Sequence, residues 1–274
     1  MNLKNPTTIR SFIILLTFLA AYCGFDFYPG EFRFAITGNY ALRLLWIFAW
    51  WAAPTLLITG LLFGFRNLPA VLGLNRNPMK GLAFAAITGW AMLMSLGIIA
   101  GFKMKTEWMD HLRILPFGWL MEEYLFRGFL FGILFRKVGW GFIPAGILGA
   151  IFFGMIHTYQ GSTITQQLII FLVTTLVALW LSWLYIEWNT NLWVPIFMHI
   201  LMNLPGRLFD FIGVDFLDFY TIFFKSLTIA ISVFLTIRRG KRSGFRINVS
   251  NLWTNAANRQ PGNIYYRINY KFRS

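Results

Sequence analysis

The sequence is poor in cysteine and in charged side chains. Its 274 residues include 1 Cys, Cys23, which excludes an intrachain disulfide framework and a thiolate cluster for a metal. Charged residues make up 12% of the chain, whereas hydrophobic residues make up 57%. A soluble domain of this length could not cover so much apolar surface. The composition therefore predicts a polytopic membrane protein in contact with a lipid bilayer.

Acidic residues are the scarcer of the two charge types. There are 10 Asp and Glu against 24 Lys and Arg, so the formal net charge is +14. Nine of the basic residues lie in residues 238–274, where no acidic residue occurs. A basic cluster beside a membrane segment is typical of a cytoplasmic tail rather than of a nucleic-acid-binding surface. We predict no nucleic-acid partner, a transmembrane domain over residues 1–237 and a basic cytoplasmic tail over residues 238–274.

Long apolar segments predict an all-α fold of about eight transmembrane helices. The segments cover residues 12–23, 40–65, 81–102, 114–135, 142–158, 166–186, 191–204 and 219–237. The first resembles a signal peptide or an anchor, and we interpret it as a retained helix. We expect Pro205 and Gly206 to end the seventh. The Lys and Arg residues between segments predict a multi-pass protein of the plasma (inner) membrane with both termini in the cytoplasm.

Three charged residues interrupt the fourth apolar segment. Glu122, Glu123 and Arg127 lie where each charge costs about 2.5–3.5 kcal/mol at the centre of a membrane helix. Glu123 and Arg127 are four positions apart, so they share a helix face and are predicted to form an ion pair. Glu122 is rotated by about 100° from Glu123 and is predicted to face a cavity. A purely structural ion-pair cluster is the alternative interpretation.

Three further polar side chains lie at membrane depth, namely His157, His199 and Asn203. His199 and Asn203 are four positions apart and share a helix face. Together with Glu122, these residues suit the hydrolysis of an amide bond. A glutamate can take a proton from water while an imidazole shares or polarises that proton. Asn203 and a histidine can donate hydrogen bonds to the oxyanion that forms on the attacked carbonyl.

The same residues also allow a metal-dependent interpretation. Glu122, His157 and His199 could supply three ligands to a zinc ion and leave a fourth position open. The sequence has no His-Glu-x-x-His run, however, so we favour a mechanism that requires no cofactor. Zinc or another divalent metal remains the alternative.

Three motifs occur in order in successive apolar segments: Glu122-Glu123-x-x-x-Arg127, Phe153-x-x-x-His157 and His199-x-x-x-Asn203. They resemble the three motifs of the CPBP intramembrane proteases, a family that includes CAAX prenyl endopeptidases and bacterial proteins linked to bacteriocin immunity. The resemblance covers residues 114–204, the motif core, and residues 191–195 also resemble the segment that precedes the third motif.

The resemblance implies a fold of eight membrane helices with the active site in a helix-lined intramembrane cavity. It implies that Glu122 and His157 activate water and that His199 and Asn203 form the oxyanion site. Glu123 and Arg127 would support them. The implied substrate is a membrane-associated or lipidated protein or peptide, and processing of the CAAX type is one form of this activity.

Two other functions are compatible with the same segments. One is a catalytically inactive scaffold or bacteriocin-immunity protein that binds a membrane partner through the cavity. The other is a transporter whose buried carboxylates carry protons or cations. No inverted repeat is visible in the sequence to support a transporter. The complete motif set favours the protease over the scaffold, since a scaffold has no need of Glu122, His157 and Asn203 together.

Overall fold

The computed structural model describes residues 6–24, 42, 45, 46, 48–106, 119–211, 219–239 and 247–255. These residues are almost entirely helical, with two isolated β-bridges, which confirms the all-α prediction. The helices are α1 (Pro6–Gly24), α2 (Ala53–Phe63), α3 (Leu68–Leu72), α4 (Pro78–Ile99), α5 (119–138), α6 (Phe142–Met155), α7 (Ile164–Glu187), α8 (Trp193–Leu208), α9 (Phe219–Arg239) and α10 (Val249–Leu252).

Several of these helices are long and apolar enough to cross a membrane. Five qualify by length and composition: Thr7–Gly24, Pro78–Ile99, Phe142–Gln160, Ile164–Glu187 and Phe219–Arg239. A sixth span arises if Phe48–Phe63 and Phe65–Leu72, which are bent by 112° at Gly64, are counted as one. The chain is therefore an integral membrane protein. The predicted total of eight further requires α5, which carries charges, and α8, which has 16 residues, so this total stays a prediction.

The end of α8 differs from the prediction. Pro205 was expected to stop this helix, but α8 continues through Pro205 to Leu208. Proline removes one backbone donor, but residues that follow Pro205 make backbone hydrogen bonds to the segment after α4. The Lys105 amide donates to the Leu208 carbonyl at 2.9 Å, and the Asp210 amide donates to the Lys103 carbonyl at 2.8 Å. Tertiary hydrogen bonds thus hold the last turn of α8, whereas the local sequence alone predicts that the helix ends at Pro205.

Helix α5 lies at the centre of the larger hydrophobic core. All of its residues from 123 to 135 are buried. Phe126 contacts Phe18 of α1 at 5.5 Å and Phe153 of α6 at 5.2 Å between ring centroids. Phe131 contacts Tyr185 of α7 at 6.3 Å. The charged residues of α5 are therefore shielded by neighbouring helices rather than exposed to lipid.

Two stretches of α5 form π-helix, Tyr124–Phe131 and Leu134–Val138. The first begins directly after Glu123. A π-helical turn is wider than an α-helical turn, and such turns are frequent at functional sites.

Helix α8 packs closely on α4, which places its histidine against α5. Two glycines of α4 permit this approach. A Cβ atom at Gly89 would lie 1.9 Å from Leu201 Cδ2, and one at Gly81 would lie 2.6 Å from the Trp193 carbonyl carbon. Small residues allow helix backbones to approach closely in membranes, where apolar burial gives little attraction between helices.

Part of the predicted tail packs against the helices. The Asn255 side chain donates to the Phe135 carbonyl at 3.0 Å, and the Gly141 amide donates to the Trp253 carbonyl at 3.1 Å. Residues 247–255 therefore contact the C-terminal end of α5 and the start of α6. Residues 240–246 and 256–274 of the predicted tail lie outside the described part of the chain.

Candidate active site

The best-shielded part of the site is the ion pair between Glu123 and Arg127. Arg127 Nη1 lies 2.9 Å from Glu123 Oε1, and the two side chains are 1% and 0% exposed. This distance is that of a charge-assisted hydrogen bond. The ion pair predicted from the four-residue spacing is present.

His199 joins this pair from α8. Its Nδ1 lies 2.8 Å from Glu123 Oε1, the same oxygen that Arg127 contacts. An ionised carboxylate only accepts hydrogen bonds. His199 Nδ1 therefore carries a hydrogen and donates a hydrogen bond to Glu123. His199 therefore has a fixed orientation, and its other nitrogen, Nε2, is turned toward Glu122. The sequence assigned Glu123 to Arg127 alone, and this second partner, 76 residues away, was not foreseen.

Glu122 has different surroundings from its neighbour. Its side chain is 22% exposed, and its Oε2 is buried without a hydrogen-bond partner in the described part of the chain. His199 Nε2 lies 3.9 Å from that oxygen. This distance is too long for a direct hydrogen bond, but one water can bridge two polar atoms at such a separation.

His157 lies just beyond the C-terminus of α6. Its Nδ1 is 2.7 Å from the Phe153 carbonyl, four residues earlier. When Nδ1–H donates to that carbonyl, Nε2 of the neutral ring is left as the acceptor. Among the described residues, no hydrogen bond or ion pair joins His157 to Glu122. Their predicted joint action on water therefore stays a prediction.

Phe153 is the shared neighbour of the charged groups. The Arg127 guanidinium carbon lies 4.3 Å from its ring centroid, within the range of a cation–π contact. The rings of His157 and His199 lie 4.4 Å and 5.9 Å from it. Arg127 Nη2 makes no hydrogen bond with any residue that the structure describes. The aromatic face is therefore the main compensation for that part of the guanidinium. The sequence identified Phe153 only as a motif position.

Trp119 and Asn203 complete the surroundings of His199. The Trp119 and His199 ring centroids are 6.1 Å apart with an interplanar angle of 31°. No spacing in the sequence indicated this contact. Asn203 lies one turn after His199 in α8 and is half-buried. The structure describes no hydrogen bond from Asn203 to His199 or to either glutamate, so its oxyanion role also stays a prediction.

A buried hydrogen bond anchors α5 beside Glu123. The Tyr124 hydroxyl lies 2.6 Å from Thr55 Oγ1 of α2. Thr55 also donates to backbone carbonyls directly before α2, among them that of Ala52 at 3.0 Å. Tyr124 is therefore the donor in the contact between the two hydroxyls. This contact, which was not predicted, fixes the start of the π-helical segment against α2.

The predicted metal ligands do not form a ligand set in this arrangement. Within the described ranges, no three His, Cys, Asp or Glu side chains are close enough together to hold a metal ion. His199 Nδ1 is bound to Glu123, which leaves only Nε2 for a metal. A structural or catalytic zinc site needs at least three protein ligands at about 2.0–2.3 Å. The mechanism without a metal therefore stays a prediction, as does the zinc alternative with Glu122, His157 and His199 as ligands.

Comparison with known proteins finds a match to the region that contains the candidate site. Residues 104–205 match the family model described as "Type II CAAX prenyl endopeptidase Rce1-like", and this range contains all six predicted site residues. A segment of 86 residues is 33% identical to the protein named "Putative membrane peptidase YdiL" from Bacillus subtilis (strain 168). That match covers 31% of this chain and 31% of the relative, so the chain spans less than a third of the relative's length. No solved structure matches the chain.

Proposed function

Because residues 104–205 match the Rce1-like family model, we propose that the chain is an intramembrane endopeptidase of the CPBP family. Its substrate is a membrane-associated or lipidated protein or peptide, which includes CAAX-type substrates. One observation carries the proposal: a buried Glu123–Arg127 pair holds His199 so that its Nε2 is 3.9 Å from Glu122 Oε2. This arrangement places the proposed base beside an oriented imidazole that can serve the oxyanion.

In the proposed reaction, Glu122 acts as the general base. Glu122 Oε2 takes a proton from a water molecule, and the water oxygen forms a bond to the carbonyl carbon of the scissile peptide. The C–N bond then breaks, and a proton passes to the leaving amine. His157 shares this proton transfer through Nε2, since its Nδ1 is engaged by the Phe153 carbonyl. Groups of this kind typically contribute about 10²–10⁴ to the rate.

The proposed oxyanion donors are His199 and Asn203. His199 in its protonated form donates Nδ1–H to Glu123 and has a second donor at Nε2. The Asn203 amide, one turn along α8, supplies another donor. A donor that is already oriented stabilises the oxyanion without having to reorganise during the reaction. The Glu123–Arg127 pair would therefore act on catalysis through His199.

We further propose that catalysis needs no tightly bound metal. The supply of groups supports this, because using Glu122, His157 and His199 as ligands would leave only Glu123 as the base, and Glu123 is already paired with Arg127 and His199. Metal analysis of active purified protein, with activity measured after chelation and after zinc is returned, tests the point. Stoichiometric zinc whose removal abolishes activity and whose return restores it would overturn the metal-free mechanism but leave the protease assignment standing.

The proposed location is the plasma membrane with both termini in the cytoplasm. This orientation places the basic residues of the 64–80 and 136–141 connections and of residues 238–274 on one side. Reporter fusions at each connection test the orientation. A reporter at residue 75 that is active only outside the cytoplasm would contradict it.

The decisive experiment compares the termini of membrane proteins in cells that carry the wild type or Glu122→Gln. We expect a set of new termini that depends on Glu122, while Glu187→Gln, which changes a carboxylate outside the site, leaves that set intact. Identical termini in all three strains, with the wild type inserted and folded, would favour a scaffold over a protease. Prenylated and unprenylated peptides ending in a CAAX sequence would then identify the preferred substrate class among the termini found.

A further inference from the structure

A groove between α4, α9 and the residue after α7 lies outside the candidate active site. Its volume is about 390 Å³, and two cationic side chains, Lys80 and Arg239, line it. The rest of its lining is apolar or aromatic and includes Ala83, Phe84 and Trp188. The groove therefore combines an apolar wall with two positive charges.

The aromatic part of the wall is held in place before any ligand binds. The Phe84 and Trp188 ring centroids are 4.4 Å apart. Trp188 Nε1 donates to Thr236 Oγ1 of α9 at 3.0 Å. Thr236 is itself 2% exposed, so the ring is anchored to the buried side of that helix. A ligand in the groove would meet a preformed surface.

The two cations of the groove have different surroundings, but neither is paired with a carboxylate in the described part of the chain. The Arg239 guanidinium carbon lies 3.8 Å from the Trp188 ring centroid, so the aromatic ring holds the guanidinium. Its N–H donors lie around the edge of the planar group, where they can reach an anion. Lys80 is exposed in the first turn of α4. In the described part of the chain, no ion pair joins either cation to a carboxylate.

The position of the groove indicates where the matching anion is found. It lies at the N-terminal end of α4 and at the C-terminal ends of α7 and α9, the end that the positive-inside rule assigns to the cytoplasm. Anionic phospholipids of the cytoplasmic leaflet are attracted to basic pockets between membrane helices at this level. The C-terminal part of the chain is a poor occupant, because no Asp or Glu follows Asp218.

We propose that this groove binds one anionic phospholipid. The headgroup phosphate lies between Lys80 and Arg239, and an acyl chain follows the apolar wall past Phe84 and Ala83. A headgroup with net negative charge is preferred over a zwitterionic one, because its phosphate charge is not already balanced by a cation within the headgroup. This site is independent of the proposed protease activity.

Native mass spectrometry of the full chain in detergent tests the proposal with phosphatidylglycerol and phosphatidylcholine of equal chain length. We expect one tightly retained phosphatidylglycerol and weaker retention of phosphatidylcholine. Each basic residue near a membrane surface contributes roughly fivefold to such binding, so Lys80→Gln with Arg239→Gln should weaken it about 25-fold. The matched control, Arg66→Gln with Arg238→Gln, removes two exposed cations that do not line the groove and should change binding less than about twofold.

A second pair of variants tests the apolar half of the site. Ala83→Leu fills the groove without changing a charge, whereas Ala86→Leu adds the same volume at another exposed position of α4. We expect only Ala83→Leu to reduce phosphatidylglycerol retention. Equal retention of the two lipids, or equal loss in the target and control variants, would overturn the proposal. Glycerol phosphate without acyl chains that competes as well as the lipid at equal concentration would also overturn it.

Discussion

Glu123 and Glu122 are adjacent in α5, but they lie in two different halves of the candidate site. The closed half consists of Glu123, Arg127 and the Nδ1 side of His199, where the Glu123 side chain is 0% exposed and Oε1 accepts two short hydrogen bonds. The open half contains Glu122, with His157 and Asn203 as its proposed partners. There the Glu122 side chain is 22% exposed, and its Oε2, like Oε2 of Glu123, has no hydrogen-bond partner among the described residues.

This difference separates structural support from chemistry. A carboxylate that already accepts hydrogen bonds from a guanidinium and an imidazole is a poor base, because proton transfer to it would weaken both contacts. A buried carboxylate that lacks such partners can accept a proton from a substrate or a water. His199 belongs to both halves, since Nδ1 contacts Glu123 and Nε2 faces Glu122. The closed half thereby orients the imidazole that faces the open half.

The largest expected effect comes from removing the base in the open half. Glu122→Gln should lower the rate of peptide hydrolysis about 10²–10⁴-fold, and His157→Ala should act in the same direction, because both are proposed to transfer protons. The measurement is single-turnover cleavage of a substrate identified by terminus mapping. Both variants should remain inserted and melt close to the wild-type temperature. Near-normal cleavage by either variant would remove that residue from the proposed chemistry.

The same substitution one residue later should have a different result. Glu123→Gln leaves Arg127 without its carboxylate and weakens the contact to His199, so it should destabilise the protein by about 3–5 kcal/mol. Glu122→Gln is the matched control and should be neutral or slightly stabilising, because it removes an unpaired carboxylate. Unfolding titrations in mixed micelles measure both. Equal destabilisation would show that the division into two halves is wrong.

A double variant sharpens this test. Replacing both partners, with Glu123→Gln and Arg127→Met, should destabilise less than the sum of the two single changes. The second change removes the charge that the first leaves unpaired. Additive effects would indicate that the two residues do not depend on each other.

A smaller effect is expected at Phe153, which touches both halves. Phe153→Leu should cost about 1–3 kcal/mol, because it removes the aromatic face over Arg127 and part of the packing around His157. Phe152→Leu is the control, since Phe152 contacts α1 rather than the charged residues. The ratio of lost activity to lost stability should be larger at Phe153. A larger ratio at Phe152 would argue against a positioning role.

Much of the helical framework was predictable from apolar segment length. The predicted third, sixth and eighth segments agree with α4, α7 and α9 to within a few residues at each end. The Glu123–Arg127 pair was also predictable, since a four-residue spacing fixes both side chains on one face of one helix. Such predictions depend only on local geometry, which the backbone hydrogen-bond pattern determines.

Contacts between helices could not be predicted in the same way. The spacing of His199 and Asn203 places them on one face of α8, but it does not say which glutamate that face meets. Close packing of α8 on α4 through Gly89 and Gly81 sets that choice. The continuation of α8 past Pro205 has a similar cause, because backbone hydrogen bonds of Leu208 with Lys105 and of Asp210 with Lys103 hold the end of the helix. Neither feature leaves a periodic signal in the sequence.

The smallest expected effect concerns Tyr124 and Thr55, the contact that fixes α5 against α2 at the edge of the closed half. Tyr124→Phe removes a donor whose acceptor, Thr55, still donates to the Ala52 carbonyl directly before α2. Tyr124→Phe should therefore lower the free energy of unfolding by only about 0.5–1.5 kcal/mol.

Thr55→Val removes the acceptor instead and leaves the Tyr124 hydroxyl buried without a partner. A buried unsatisfied donor costs about 1–3 kcal/mol, so this variant should be the less stable of the two. The double variant should return close to the Tyr124→Phe value. Unfolding titrations of the three variants measure the difference in stability between Tyr124→Phe and Thr55→Val. Cleavage assays should show rates within about twofold of wild type, because neither hydroxyl reaches Glu122. A rate loss as large as that of Glu122→Gln would mean that the closed half takes part in the chemistry directly.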